Sequence, residues 1–198
     1  MKLVIKTKST FFVEEDKILT TLFEEGLGNL HLYKPDSSPL YSERLLSLLP
    51  DYTYKKITVH QHYYLKEEYK LAGIHIDEAS AELPDGYHGR FSRTCTSIAE
   101  LKEAKRKSQY VFLQNIFPTL DDECLGMNEL EEASRQGLID RHVYAMGGVT
   151  LSNIPLCRDL GFGGVVIDDD LWNKFDIHNQ TNYKELIEHY TRLAKAVD

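Results

Sequence analysis

Short apolar runs alternate along this chain with segments whose apolar positions recur every three or four residues. The first pattern reads as strand and the second as amphipathic helix. Strands are predicted at 2–6, 29–33, 56–60, 73–76, 89–93, 109–113, 142–146 and 164–167. Several are short and apolar, as strands covered on both faces of a parallel sheet are. Helices are predicted at 14–25, 42–49, 64–71, 97–107, 128–136, 152–160 and 183–196. In the first of these, Ile18, Leu19 and Leu22 share a face. Ser97 with Glu100 three residues on forms a capping-box pattern. Gly137 and Gly161 stand just past their helices, where a left-handed terminator is favoured. No helix is evident between Ile76 and Gly89.

Eight such units in 198 residues leave about 25 residues each, which predicts one α/β domain, 1–198, folded as a compact (βα)8 TIM barrel. A doubly wound sheet alternates in the same way, but the count favours the barrel. The longer connections, 77–88 and 114–127, both follow strands and so belong to the face where barrels carry their chemistry.

Composition narrows the partners. Hydrophobic residues are 42% and charged ones 27%, values of an ordinary globular protein. Acidic residues outnumber basic ones 31 to 23, a net charge of −8, which argues against broad nucleic-acid or anionic-membrane binding. A local basic pocket for a phosphate is compatible with it. No run approaches the roughly 20 apolar residues of a membrane span. Cys95, Cys124 and Cys157 are odd in number and widely spaced, which reads as cytoplasmic and disulfide-free. Self-association is left open.

The candidate chemistry gathers at strand ends. Ala145-Met146-Gly147-Gly148-Val149 ends one strand, and Gly163-Gly164 belongs to the next. Glycine turns there expose backbone N–H groups, so Gly147, Gly148 and Gly164 are candidate phosphate ligands. Asp168-Asp169-Asp170 follows at once and would repel an anion unless it points away or serves the helix dipole. His60 and His62, two apart, are expected on one side of their strand, with His62 and His75 as candidate acid–base groups and His31 nearby. Lys34 and Arg93, at the ends of strands two and five, are candidate diphosphate clamps, with Arg93 also a candidate catalytic group.

The order and spacing of these pieces resemble the thiamine phosphate synthase and thiazole tautomerase superfamily, as a divergent bacterial member. The pieces are Leu30-His31-Leu32-Tyr33-Lys34-Pro35, Gly73-Ile74-His75-Ile76, Phe91-Ser92-Arg93-Thr94-Cys95-Thr96-Ser97, Phe117-Pro118-Thr119, Ala145-Met146-Gly147-Gly148-Val149 and Gly161-Phe162-Gly163-Gly164-Val165. The resemblance implies a (βα)8 barrel acting on a small phosphorylated heterocycle. A synthase joins hydroxymethylpyrimidine diphosphate to thiazole phosphate, with Mg²⁺ bound and diphosphate expelled. Asp77 or Glu78 are then the metal ligands, and His62, His75 and Arg93 the catalytic groups. The alternatives are an isomerase of the tautomerase kind and a catalytically silent ligand-binding barrel. The chain also departs from the pattern: Tyr33 stands where an arginine is usual, His60-Gln61 replaces Asn-Asp, and Ser80 stands near the place of a second metal aspartate. Leu120-Asp121-Asp122-Glu123 lacks a lysine, and Asp168 replaces a small hydroxyl residue. These departures imply weakened synthase activity.

Overall fold

A computed structural model describes residues 1–119, 124–176, 178 and 182–198. The eight strands close into one parallel barrel in chain order. They are β1 (Lys2–Lys6), β2 (Leu30–Leu32), β3 (Ile57–Val59), β4 (Gly73–Ile76), β5 (Phe91–Cys95), β6 (Val111–Leu113), β7 (Val143–Ala145) and β8 (Gly164–Ile167). The seam pairs Leu3 with Val165 and Ile5 with Ile167. The helices are α1 (Glu15–Glu24), α2 (Pro39–Leu48), α3 (Leu65–Glu68), α4 (Leu101–Lys107), α5 (Met127–Arg135), α6 (Ile154–Asp159), α7 (Asp169–Trp172) and α8 (Lys184–Val197). None is long and apolar enough to cross a membrane, among the described residues.

Alternation along each strand divides the apolar side chains between two cores. Ile5, Leu30, Leu32, Ile57, Val59, Ile74, Ile76 and Val165 face the helices and are buried with Ile18, Leu22, Leu46 and Leu193. Each such aliphatic side chain adds about 1.5–3 kcal/mol when removed from water. Val4, Phe112, Tyr144, Met146 and Val166 fill a second, smaller core inside the barrel. His31 and His75 are fully buried among them, ring on ring with Phe112 at 4.7 and 4.6 Å.

Three departures from the predicted elements matter for the site. β3 ends at Val59, so His60 to His62 lie beyond it. β5 runs from Phe91 rather than from Gly89, because Phe91 is the residue that pairs with Ile74. α7, unpredicted, follows β8 directly, with the Asp168 side chain accepting the Asp169 N–H at 2.8 Å. No helix separates β4 from β5, as expected. The connection that replaces it is held by the Arg93 guanidinium, which donates to the carbonyls of Ala79 and Ala81.

Candidate functional site

The C-terminal ends of the strands frame the barrel mouth. Lys6 ends β1, Tyr33 follows β2, His60 follows β3, Asp77 follows β4 and Asp168 follows β8. Lys6 Nζ lies 4.0 Å from the centre of the Tyr33 ring. Lys6, Tyr33 and Asp168 line one cavity of about 270 Å³ with Thr7, Ser9 and Thr10. Burial raises the basicity of the Asp168 carboxylate, while the Asp169 N–H and the Lys6 charge oppose that rise. Asp170 turns elsewhere: it accepts from His189 Nε2 at 2.7 Å and from the Leu151 N–H at 3.2 Å.

His60 is buried beside this cation and is the hub of the polar interior. Its Nδ1 lies 2.6 Å from Asp77 Oδ1, and its Nε2 lies 2.8 Å from His31 Nδ1. Its ring stacks on His75 at 4.2 Å. Burial depresses the basicity of all three imidazoles. Nearby His60 and Lys6 push His31 and His75 further down, whereas Asp77 partly restores His60. These shifts favour neutral rings, and an Nδ1–H on His60 donates to the Asp77 carboxylate.

The turn after β7 retains its predicted character. Gly147 and Gly148 have φ of 89° and 65°, conformations that disfavour any side chain. A Cβ on Gly148 would lie 2.9 Å from Phe117, so the turn also needs glycine to pack against the connection that follows β6. The N–H groups of Gly147, Gly148 and Val149 have no partner among the described residues. They are free to bind an anion at the mouth.

Other expected site residues lie elsewhere. Gly164 opens β8 opposite Lys2, at the far end of the barrel from the mouth; it is glycine because a Cβ would meet the Lys2 carbonyl at 2.8 Å. It cannot share a phosphate with Gly147. Arg93 alternates outward, because Ser92 and Thr94 face in and take both nitrogens of His75, at 2.7 and 2.9 Å. Lys34 likewise leaves the mouth, its ammonium enclosed with Glu15 at 2.7 Å and the Thr10 carbonyl at 2.9 Å. His62 sits in a left-handed turn at φ 54° and donates from Nε2 to the Ser37 carbonyl at 3.0 Å, so it does not share a direction with His60. His75 is enclosed in the interior rather than set at the mouth. Glu78 is exposed, and its carbonyl accepts the Ala81 N–H at 3.4 Å. The segment 120–123, where a lysine is missing, lies outside the described residues.

Two metal sets were open to test. Asp77 Oδ1 accepts from His60, and among the described residues no group of three carboxylates gathers, so Mg²⁺ at Asp77 would take its remaining ligands from substrate phosphates and water. His31, His60 and His75 bring ring nitrogens within 4.8 Å of one another. The stacked planes of His60 and His75, 28° apart, cannot both contain one ion, and both His75 nitrogens are already engaged.

Lys6 is not among the candidate site residues of the sequence, Tyr33 appears there only in place of an arginine, and His60 only as the companion of His62. The available signal was parity: Lys6 shares a face with Val4, and Tyr33 with His31.

No family model and no curated protein matches the chain. Among solved structures, thiamine phosphate pyrophosphorylase from Bacteroides thetaiotaomicron is 45% identical, with 100% of this chain and 98% of that chain covered and a TM-score of 0.91. Thiamine phosphate pyrophosphorylase from Pyrococcus furiosus is 16% identical over 99% of this chain and 95% of that chain, at a TM-score of 0.78. A 3-hexulose-6-phosphate synthase is 14% identical over 100% of both chains, at 0.66. The last two share the fold.

Proposed function

The chain belongs to the thiamine phosphate pyrophosphorylase family, and we propose that it is a cytoplasmic transferase joining hydroxymethylpyrimidine diphosphate to thiazole phosphate. The observation that carries this reading is the free N–H cluster of Gly147, Gly148 and Val149 at the mouth, a receptor for the thiazole phosphate. Lys6 is the cation for the diphosphate, taking the part expected of Lys34 and Arg93. Mg²⁺ would be held largely by the diphosphate oxygens and would supply neutralisation of their charge. Lys6 and the glycine turn orient the two substrates, and Asp77 and His60 stand ready to hold a proton beside them.

Turnover is slow in this reading. Lys34 and Arg93 are withdrawn and Asp168 adds a negative charge, and each lost contact to a departing anion costs about 2–4 kcal/mol. Incubation with both substrates and Mg²⁺, followed by chromatographic assay, tests the reading. Thiamine phosphate and diphosphate in equal amounts support it, and no product at high enzyme concentration removes it. The short His60–Asp77 contact favours a second reading, proton transfer on a thiazole carboxylate phosphate as in the tautomerases. Isomerisation of that compound without diphosphate chemistry would select it.

A further inference from the structure

The connection 77–90 stands where a helix would otherwise cover β4 and β5, and a cavity of about 800 Å³ lies between it and α4. That is the size of a small-molecule site. The connection lines it with Ala79, Ala81 and Leu83, β5 with Phe91 and Arg93, and the turn before α4 with Ala99. Arg93 is 4% exposed, and its guanidinium is only half used. Nη1 donates to the Ala79 carbonyl and, at 3.2 Å, to the Ala81 carbonyl. Nε is buried with no hydrogen-bond partner, and Nη2 makes no hydrogen bond, among the described residues.

This second edge, Nε with Nη2, carries two parallel N–H bonds of the kind a carboxylate accepts as a fork. A buried donor left unpaired is costly, most of all on a cation, so the edge calls for an acceptor. The acidic side chains that line the cavity do not supply one. Glu100 Oε2 takes the N–H groups of Thr96 and Ser97 at 2.8 and 3.2 Å. Glu103 pairs with Lys107 at 2.6 Å. Glu82 is exposed, and no carboxylate among the described residues forms an ion pair with Arg93.

We propose that this cavity binds a small organic acid, its single carboxylate held by the Nε–Nη2 edge of Arg93 and its apolar body set against Ala81, Leu83, Phe91 and Ala99. The charge balance sets the ligand class. Glu82, Glu100 and Glu103 line the cavity against Arg93 and Lys107, so a second negative charge on the ligand, as on phosphate, is repelled. The site lies outside the barrel wall, apart from the mouth, and stands whether or not the transferase reading does. An arginine that served the fold alone would strap the connection through Nη1 and meet only water at its other edge.

Nitrogen-15 NMR of the Arg93 Nε–H, identified by its loss in Arg93→Lys, reads the site in the wild-type protein. Acetate, butyrate and hexanoate are titrated at constant salt. The signal should move downfield and saturate, and affinity should rise on the order of 10-fold from butyrate to hexanoate as two more methylene groups are buried. Hexanamide, which lacks the charge, and inorganic phosphate should leave the signal in place. Ala99→Phe fills the apolar side of the cavity from an exposed position and keeps Arg93. It should retain the Nε–H signal and lose the response to hexanoate. No shift with hexanoate at about 50 mM, enough to reveal even a millimolar site, overturns the proposal and leaves Arg93 as a strap. An equal response to hexanamide or phosphate overturns the ligand class. A hexanoate response undiminished in Ala99→Phe overturns the placement.

Discussion

Removing one partner of the enclosed Lys34–Glu15 pair should unfold this protein far more readily than removing both. The two side chains are 1% and 2% exposed, with Nζ and Oε1 2.7 Å apart. Burial raises the Glu15 carboxyl above its usual value and lowers the Lys34 ammonium, although each partner opposes the shift of the other. Both directions mean that the fold disfavours both charges relative to water, so the pair tolerates itself rather than driving folding. Glu15 Oε2 is also buried without a hydrogen-bond partner among the described residues. Lys34→Met leaves that carboxylate with no cation, and Glu15→Leu leaves the ammonium with only the Thr10 carbonyl and the Phe11 ring. Each single change should cost about 3–5 kcal/mol, roughly 6–20 °C in Tm for a chain of this size. The double variant should lie between wild type and about 1–4 kcal/mol above it, because it removes two desolvated charges at once.

The pH dependence of this pair has a definite sign. A raised carboxyl pKa contributes stability that is present at low pH and lost as pH rises through the folded value. Lys34→Met raises the Glu15 carboxyl further, so its deficit should be larger at pH 7 than near pH 4. Urea unfolding of the four proteins at both pH values, followed by tryptophan fluorescence, measures all of this. Single variants within about 1 kcal/mol of wild type, or a double variant as unstable as the sum of the singles, would refute the reasoning.

Other consequences are as direct. Gly148→Ala should lose roughly 1–3 kcal/mol, from its positive φ and the close approach of Phe117, and should weaken inorganic phosphate binding in calorimetry. Lys6→Met should lower pyrophosphate affinity about tenfold, a change of roughly 1.4 kcal/mol, whereas Arg93→Met should leave that affinity unchanged. Asp168→Ser should raise phosphate affinity by a similar factor, because a carboxylate beside the anion is lost; no gain in titration would place Asp168 outside the phosphate's reach.

The chain by itself determined the barrel. Eight strand-like runs alternating with amphipathic segments, two of them ended by glycine, specify βα units whatever their later neighbours. It also determined the turn at Gly147 and Gly148, since two adjacent glycines after a strand are a local backbone signal. What it could not determine was which face of each strand looks inward. Strands covered on both sides carry apolar residues at both parities, so nothing local separates Arg93 from Ser92 and Thr94, or Lys34 from Tyr33. Closure of the sheet made that choice: the register of β4 on β5 set Ser92 and Thr94 around His75 and sent Arg93 outward. Strand ends were equally non-local, and the stop of β3 at Val59 separated His60 from His62. Lys34 found Glu15 across 19 residues, and Asp77, His60, His31 and Tyr110 met from β4, β3, β2 and β6, contacts that exist only once the barrel is shut.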